Sequence, residues 1–311
     1  MKTAPSPSEI RSLFANGDPD EVWAKATDIV EFIDPAFDFS QAHTAFGDVV
    51  RLFRGAYPGY RPINTLYHDL HHTLDVFLCA VRLLHGAHVS GVSLSADEIT
   101  RTMIAALMHD VGYAQLHGDD SGTGAKYTKI HVNRGIEFMR RHLAYRHFPA
   151  DWAVLLEPMI RCTDPALAPS QIHFPDENTR LLGQLVGTAD LVGQMADRTY
   201  LEKLLFLYFE FKEAHIGNFI GTHDLLRGTQ HFYDVTRKKL DSEFGSLHML
   251  LEHHFKAWFG VERNYYQESI ARNIDYLAQI LQVDEADYLT KLKRGGVVEK
   301  MKSIASPDDL A

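Results

Sequence analysis

Apolar residues recur at i, i+3, i+4 and i+7 over most of the chain, the spacing of one face of a 3.6-residue helix. The stretches that carry this pattern are residues 21–33, 43–54, 64–88, 97–110, 129–145, 150–162, 179–212, 229–241, 247–259 and 262–281. Strand-like alternation is scarce, so the pattern predicts an all-α fold, a compact helical bundle. Residues 1–20 are rich in Pro, Ser and Asp and predict a flexible N-terminal arm. Residues 293–311 predict a polar C-terminal tail that frays. Between them, residues 21–292 are expected to form a single helical domain. Ser95 and Glu98 form an S-x-x-E capping box ahead of an apolar run. Gly112 suits a position just past a helix end where φ must be positive, which places His109 and Asp110 at that end. Residues 114–126 and 165–178 are turn-rich, as rim loops over a pocket or plain connectors would be.

Chemistry-bearing residues cluster in three places along this pattern. In residues 67–76 (YHDLHHTLDV), His68 and His72 are four apart and Asp75 follows three later, so on a helix they share a face. Polar groups on a partly buried face need a partner. A metal ion is one, since a neutral imidazole is among its best ligands; ordinary hydrogen bonding is the other. In residues 105–113 (AALMHDVGY), His109 and Asp110 are adjacent after an apolar helix. Neighbours on a helix diverge by about 100°, so the two meet at one centre only from a helix end or a distortion. In residues 181–195 (LLGQLVGTADLVGQM), Asp190 lies among Gly183, Gly187, Ala189 and Gly193, where small residues let helices approach closely and a buried charge needs a partner. Without a metal, Asp110 and Asp190 would put like charges close together, which is expected to raise at least one carboxyl pKa.

The order H…HD…D resembles that of the HD superfamily of metal phosphohydrolases. Within it, residues 67–76 are similar to the first motif of class I cyclic-nucleotide phosphodiesterases, Y-H-N-x-x-H-A-x-D-V, with Asp69 and Thr73 as the differences. IRCTDPA at 160–166 and GTADLVG at 187–193 resemble two further family segments, and the likeness extends over residues 45–210. The resemblance implies that His72, His109, Asp110 and Asp190 hold a first metal and that Asp110 bridges to a second, mostly water-ligated one. It implies His68 as general acid, with Asp75 and Asp164 as supporting or pocket residues; Asp69, Tyr113 and His131 are further candidates to stand around them. The chain departs from the family after the His-Asp pair, where HDVGYAQ replaces H-D-V-D-H-P-G and Tyr113 takes the place of a histidine. A glutamate that the family places further on has no counterpart. His131 and Glu137 lie instead in KIHVNRGIEFM, which looks like the third motif of bacterial HD proteins; His131 is then either near the second metal or on the surface. Gln230 sits in FIGTHDLLRGTQHFYD, but it does not align with the glutamine that holds the purine in the phosphodiesterases.

With 311 residues, 45% of them hydrophobic, the chain can bury a large core. Its formal charge of −10 argues against nucleic acid as a partner. A small anionic substrate stays compatible, because a bound metal inverts the local field. Cys79 and Cys162 are not in a CxxC pair and read as reduced, buried thiols. No apolar run approaches the roughly 18 residues of a membrane span or a signal peptide's core, so the expected location is cytoplasmic, with no membrane partner. The expected function is metal-dependent hydrolysis of a phosphate ester, a phosphodiester such as a cyclic nucleotide in first place. A metal-activated water would attack, and His68 would protonate the leaving group. Two divalent ions among Zn, Mn, Fe and Mg are the expected cofactors, and a small phosphorylated substrate such as a nucleotide the partner. The alternatives are an HD-type phosphomonoesterase or nucleotidase, and a metal-binding HD protein without hydrolysis. Oligomeric state is left open.

Overall fold

The fold is organised around one helix that is buried on every side. Helices α1 (Pro19–Ile33) and α2 (Ser40–Phe53) precede it; the central helix is α3 (Leu70–Val89). Every residue from His72 to Ala87 is buried, as expected of a helix apolar all round. After it come α4 (Ala96–Met108), α5 (His131–Tyr145), α6 (Trp152–Arg161), α7 (Glu177–Ala196), α8 (Tyr200–Glu213), α9 (Thr222–Lys238), α10 (Leu250–Phe259), α11 (Tyr265–Ile280) and α12 (Val297–Lys302). The computed structural model describes residues 5, 6, 10, 13, 14 and 17–304, and among these there is no strand, only an isolated bridge between Tyr60 and Leu116. The protein is all-α, a helical bundle.

α3 is flanked by α1, α4, α7 and α10. One of these contacts depends on a missing side chain: a Cβ on Gly86 would overlap the Leu250 carbonyl of α10, whereas one on Gly193 of α7 would meet Asp75 and Val76 at ordinary contact distance. Helix starts are fixed by side-chain caps: Asp18 for α1, Asp69 for α3, Ser95 with Glu98 for α4, Asp176 for α7 and Asn264 for α11. Each such cap contributes about 1 kcal/mol.

Several boundaries differ from the sequence reading, for local reasons. The stretch 64–88 becomes a helix only from Leu70, because Asp69 caps it; His68 therefore precedes the helix and does not share a helical face with His72. The stretch 179–212 is broken between α7 and α8, where the Asp197 carboxylate accepts the Thr199 N–H at 2.8 Å and draws Lys203 Nζ to 2.6 Å. Gly112 is not at a positive φ. It lies in a tight turn, Val111–Tyr113, where a Cβ would overlap the His131 carbonyl; glycine is needed for close approach, not for conformation. The segment read as a fraying tail carries α12, whose Val298 and Met301 are buried; residues 305–311 lie outside the described set. Of the N-terminal arm, 1–4, 7–9, 11, 12, 15 and 16 also lie outside it, but Leu13 is buried and its carbonyl accepts from Arg82 at 3.1 Å. Among the described residues no helix is long and apolar enough to cross a membrane. Both cysteines are buried and free, with burial pushing each thiol up to about 12.

Where α3 meets α10, the buried rings of His85 and His254 face each other, Nδ1 to Nδ1 at 3.0 Å, with Trp258 beside both. Burial, helped by His88, lowers His85 to about 4. Burial, with His85 and Arg82 adding to it, holds His254 well below its usual value. Both rings stay neutral in the fold but take up protons in the unfolded chain near pH 6.5. Their contribution to stability is therefore complete above pH 6.5 and is lost as pH falls toward 4. The melting temperature should drop between pH 7 and pH 5, and His254→Gln, which has nothing to titrate, should drop less. An equal drop in both proteins would remove this pair as the cause.

Candidate metal centre

Four side chains from three helices converge at the inner end of a cavity. α3 supplies His72, whose backbone N–H is held by the Asp69 cap at 2.9 Å. α4 runs as a buried apolar helix to Met108, and His109 keeps helical angles (φ −59°, ψ −37°). Asp110 then turns to φ −107°, ψ 3°, the sparsely populated bridge region. That turn is the distortion that lets adjacent residues meet: His109 Nε2 lies 3.1 Å from Asp110 Oδ2. His72 Nε2 is 3.2 Å from Asp110 Oδ2 and 3.2 Å from His109 Nε2. From the middle of α7, Asp190 Oδ1 approaches His72 Nε2 to 3.4 Å and His109 Nε2 to 3.8 Å. Ligand atoms of His72, His109 and Asp110 all fall within 4.8 Å of one another.

Two observations test whether a cation fits these residues. His109 Nδ1 lies 2.8 Å from the Ala106 carbonyl, which only accepts, so Nδ1 carries a proton and, in the neutral ring, Nε2 would present its lone pair to a cation. Asp110 Oδ2 is buried and has no hydrogen-bond partner. Two imidazole nitrogens and the Asp110 carboxylate, gathered within 4.8 Å of one another and with one oxygen otherwise orphaned, could hold a metal ion, with the Asp190 carboxylate beside the two imidazoles. With protons alone, the same demand for positive charge appears in the histidines. Burial disfavours charging His72, yet the Asp110 and Asp190 carboxylates beside it carry it up to about 10. Asp110 does not behave as two clustered carboxylates would suggest. Burial pushes it up, but His109 and His68 outweigh this and hold it well below the ordinary carboxylate range.

The surrounding residues divide by role. His131 is brought in: its Nδ1 donates to the Thr128 carbonyl at 2.6 Å and its Nε2 stands 3.5 Å from Asp110 Oδ1. Tyr113 is stacked between His68 and His131, with ring centroids 4.7 and 4.6 Å away at 18° and 13°, which fixes the planes of both imidazoles. Glu137 is on the surface near Arg141. Asp69 serves as the helix cap. Asp164 lines the cavity and accepts the Ala166 N–H at 2.9 Å in a turn. Asp75 belongs to a different cluster, with its Oδ2 3.1 Å from His71 Nδ1. His71, Asp75 and Asp197 also have donor atoms close enough for a metal. There, however, Lys203 Nζ sits 2.9 Å from His71 Nδ1 and 2.6 Å from Asp197 Oδ2, so an ammonium already supplies the positive charge.

One residue central to the arrangement was not picked out from sequence. Glu210, buried in α8, holds His68: its Oε2 is 2.6 Å from His68 Nδ1, and its Oε1 accepts the Tyr67 N–H at 2.7 Å. Burial opposes charge on His68, but Glu210 and Asp110 raise its pKa above the usual histidine value. The available signal was a single acid inside the apolar run LLFLYFEF. Tyr67, His68, Asp110, Tyr113, His131, Asp164 and Asp190 line a cavity of about 510 Å³, within the range of small-molecule sites, roughly 300–1,000 Å³.

No curated protein and no solved structure matches this chain. A family model described as Npun_R2479-like matches residues 59–120 and 116–238, more than half of the chain. His68, His72, His109 and Asp110 fall in the first matched segment, and His131, Asp190 and Glu210 in the second. The chain belongs to the Npun_R2479-like family.

Proposed function

We propose that this protein is a metal-dependent phosphohydrolase of the HD type, acting on phosphate esters and first of all on diesters. The observation that carries the reading is the convergence of His72, His109, Asp110 and Asp190 beside a cavity that also receives a histidine braced by a buried glutamate. His72, His109, Asp110 and Asp190 would hold the cation, and His131 stands close enough to Asp110 to serve a second one. A bound divalent ion would neutralise phosphoryl charge and supply an activated water as nucleophile. The chain's own residues do the rest. Glu210 favours the protonated form of His68 by engaging Nδ1, which leaves Nε2 as the atom that would hand a proton to the departing oxygen. Tyr113, stacked on the His68 ring, keeps that imidazole from rotating away. Buried walls limit bulk water around the reacting ester.

The test is direct. Protein stripped with a chelator and reloaded in turn with Mn, Fe, Zn or Mg should release nitrophenol from bis(p-nitrophenyl) phosphate, with less from p-nitrophenyl phosphate. Faster monoester cleavage would move the assignment to a phosphomonoesterase. Release from neither substrate with any metal would end the hydrolytic reading.

A further inference from the structure

The cavity wall is of two kinds. The side built by the segment before α3, the turn after α4, α5 and α7 carries His68, Asp110, His131 and Asp190. The side built by α8, the following loop and α9 carries Leu204, Leu207, Phe219, Leu225, Phe232 and Val235. The loop is shaped for this. Gly217 takes a φ of +67°, open to glycine, and the loop folds Phe219 back so that it stacks on Phe211 at 6.2 Å and 20°. Gly228 of α9 leaves room for the Phe219 ring. At the outer edge Phe232 and Val235 remain 41% and 52% exposed, so the apolar wall continues to the solvent.

Several polar groups on the wall are already engaged by the protein itself. The hydroxyls of Thr128, Thr163 and Thr229 each engage a carbonyl of their own chain segment, at 2.6, 2.8 and 3.0 Å. The amide oxygens of Gln194 and Asn133 accept from Tyr67 and Arg161. Gln230 is exposed and does not line the cavity, although its neighbours Gly228, Thr229 and Phe232 do. A purine or pyrimidine placed against α8 and α9 would set its polar edge against the apolar side chains there, which is unfavourable unless each edge atom finds a partner. A hydrocarbon or aryl body carries no such penalty and gains from burial.

We propose that the substrate is an amphiphile, a phosphate ester whose remaining part is an alkyl, prenyl or aryl body and not a nucleoside, with the phosphate at the histidine–aspartate end and the body against α8 and α9. This rests on the phosphohydrolase reading for its phosphate end only. It is tested by calorimetric titration of the Mn-loaded protein with methyl, butyl, hexyl and octyl phosphate, with AMP, and with octanol. Affinity should climb about fourfold per buried methylene, octyl phosphate should bind at least about tenfold tighter than AMP, and octanol should bind far more weakly than octyl phosphate. Phe219→Ser and, at the rim, Val235→Asp should flatten the chain-length dependence, with circular dichroism verifying that both fold. A flat series, or AMP binding tighter than octyl phosphate, would overturn the proposal. Octanol binding as tightly as octyl phosphate would overturn its phosphate end. If the series is flat while bis(p-nitrophenyl) phosphate is still cleaved, the substrate proposal fails and the phosphohydrolase reading survives. If the series climbs without cleavage of any ester, the reverse holds.

Discussion

Asp110→Asn is expected to strip the protein of bound metal and to take hydrolysis below detection. Asn is nearly isosteric, so the turn after α4 should survive; what changes is one charge and one oxygen. That oxygen is the buried Oδ2 within 3.1–3.2 Å of both His109 and His72. In its place an amide would present either a neutral oxygen or a pair of N–H donors to the same point. Removing a group that merely orients a metal ligand costs roughly 10–100-fold in affinity, and removing a ligand that also approaches His131 should cost more. Elemental analysis after gel filtration is the measurement, and wild-type metal content in Asp110→Asn would refute the assignment. A second readout is independent of catalysis. An ion that binds only the folded protein stabilises it by mass action, about 2.7 kcal/mol at a concentration one hundred times the dissociation constant. Wild type should therefore melt lower after chelation, whereas the variant should hardly respond. The apo protein should still fold, because His72 and His109 can hold the protons that answer the charge of Asp110 and Asp190.

The helices and the four-residue cluster were legible in the sequence because both depend on short-range pattern. A 3.6-residue period marks α3, α4 and α7 wherever one face is buried, and the Ser95–Glu98 box is spelled out in four residues. The order of His72, His109–Asp110 and Asp190 could be read because each member sits in an apolar run where a polar group needs a reason. Three other features depend on geometry that pattern does not carry. His68 lies before α3, because Asp69 caps the helix one residue later. Helical spacing correctly grouped His68 with His72 in one site, though for the wrong reason. Glu210 reaches His68 across 142 residues, and no local rule pairs residues so far apart. Asp75 has the same periodicity as the site residues but joins His71 on another face, where Lys203 and Asp197 complete the charge balance. The apolar cavity wall is likewise set by how α8 and α9 fold back beside the His–Asp cluster, a tertiary fact. Motif resemblance in the cluster carries no information about that wall.

His68→Ala should retain its metal and lose activity in proportion to how much the leaving group needs a proton. His68 is not among the residues whose atoms crowd the candidate metal position; its Nδ1 is engaged by Glu210 at 2.6 Å and its ring is held flat on Tyr113. A side chain so braced, with its protonated form favoured by Glu210 and partly open to the cavity, is suited to proton donation. General acids typically contribute about 10²–10⁴-fold. An alkyl leaving group departs as a strongly basic alkoxide unless protonated, whereas nitrophenolate departs readily without help. For His68→Ala the rate on an alkyl phosphodiester should fall by about 10²–10⁴, and the rate on bis(p-nitrophenyl) phosphate far less. Glu210→Gln keeps a hydrogen-bond partner for His68 but removes the charge that favours its protonated form. It should reproduce part of the alkyl-ester defect, spare the nitrophenyl ester, and shift the alkaline limb of the alkyl-ester pH profile to lower pH, since a lowered His68 pKa loses its proton sooner. Equal losses on both esters in His68→Ala, or loss of metal together with activity, would show that His68 is a ligand or a packing residue, and the proton-donor role would be withdrawn.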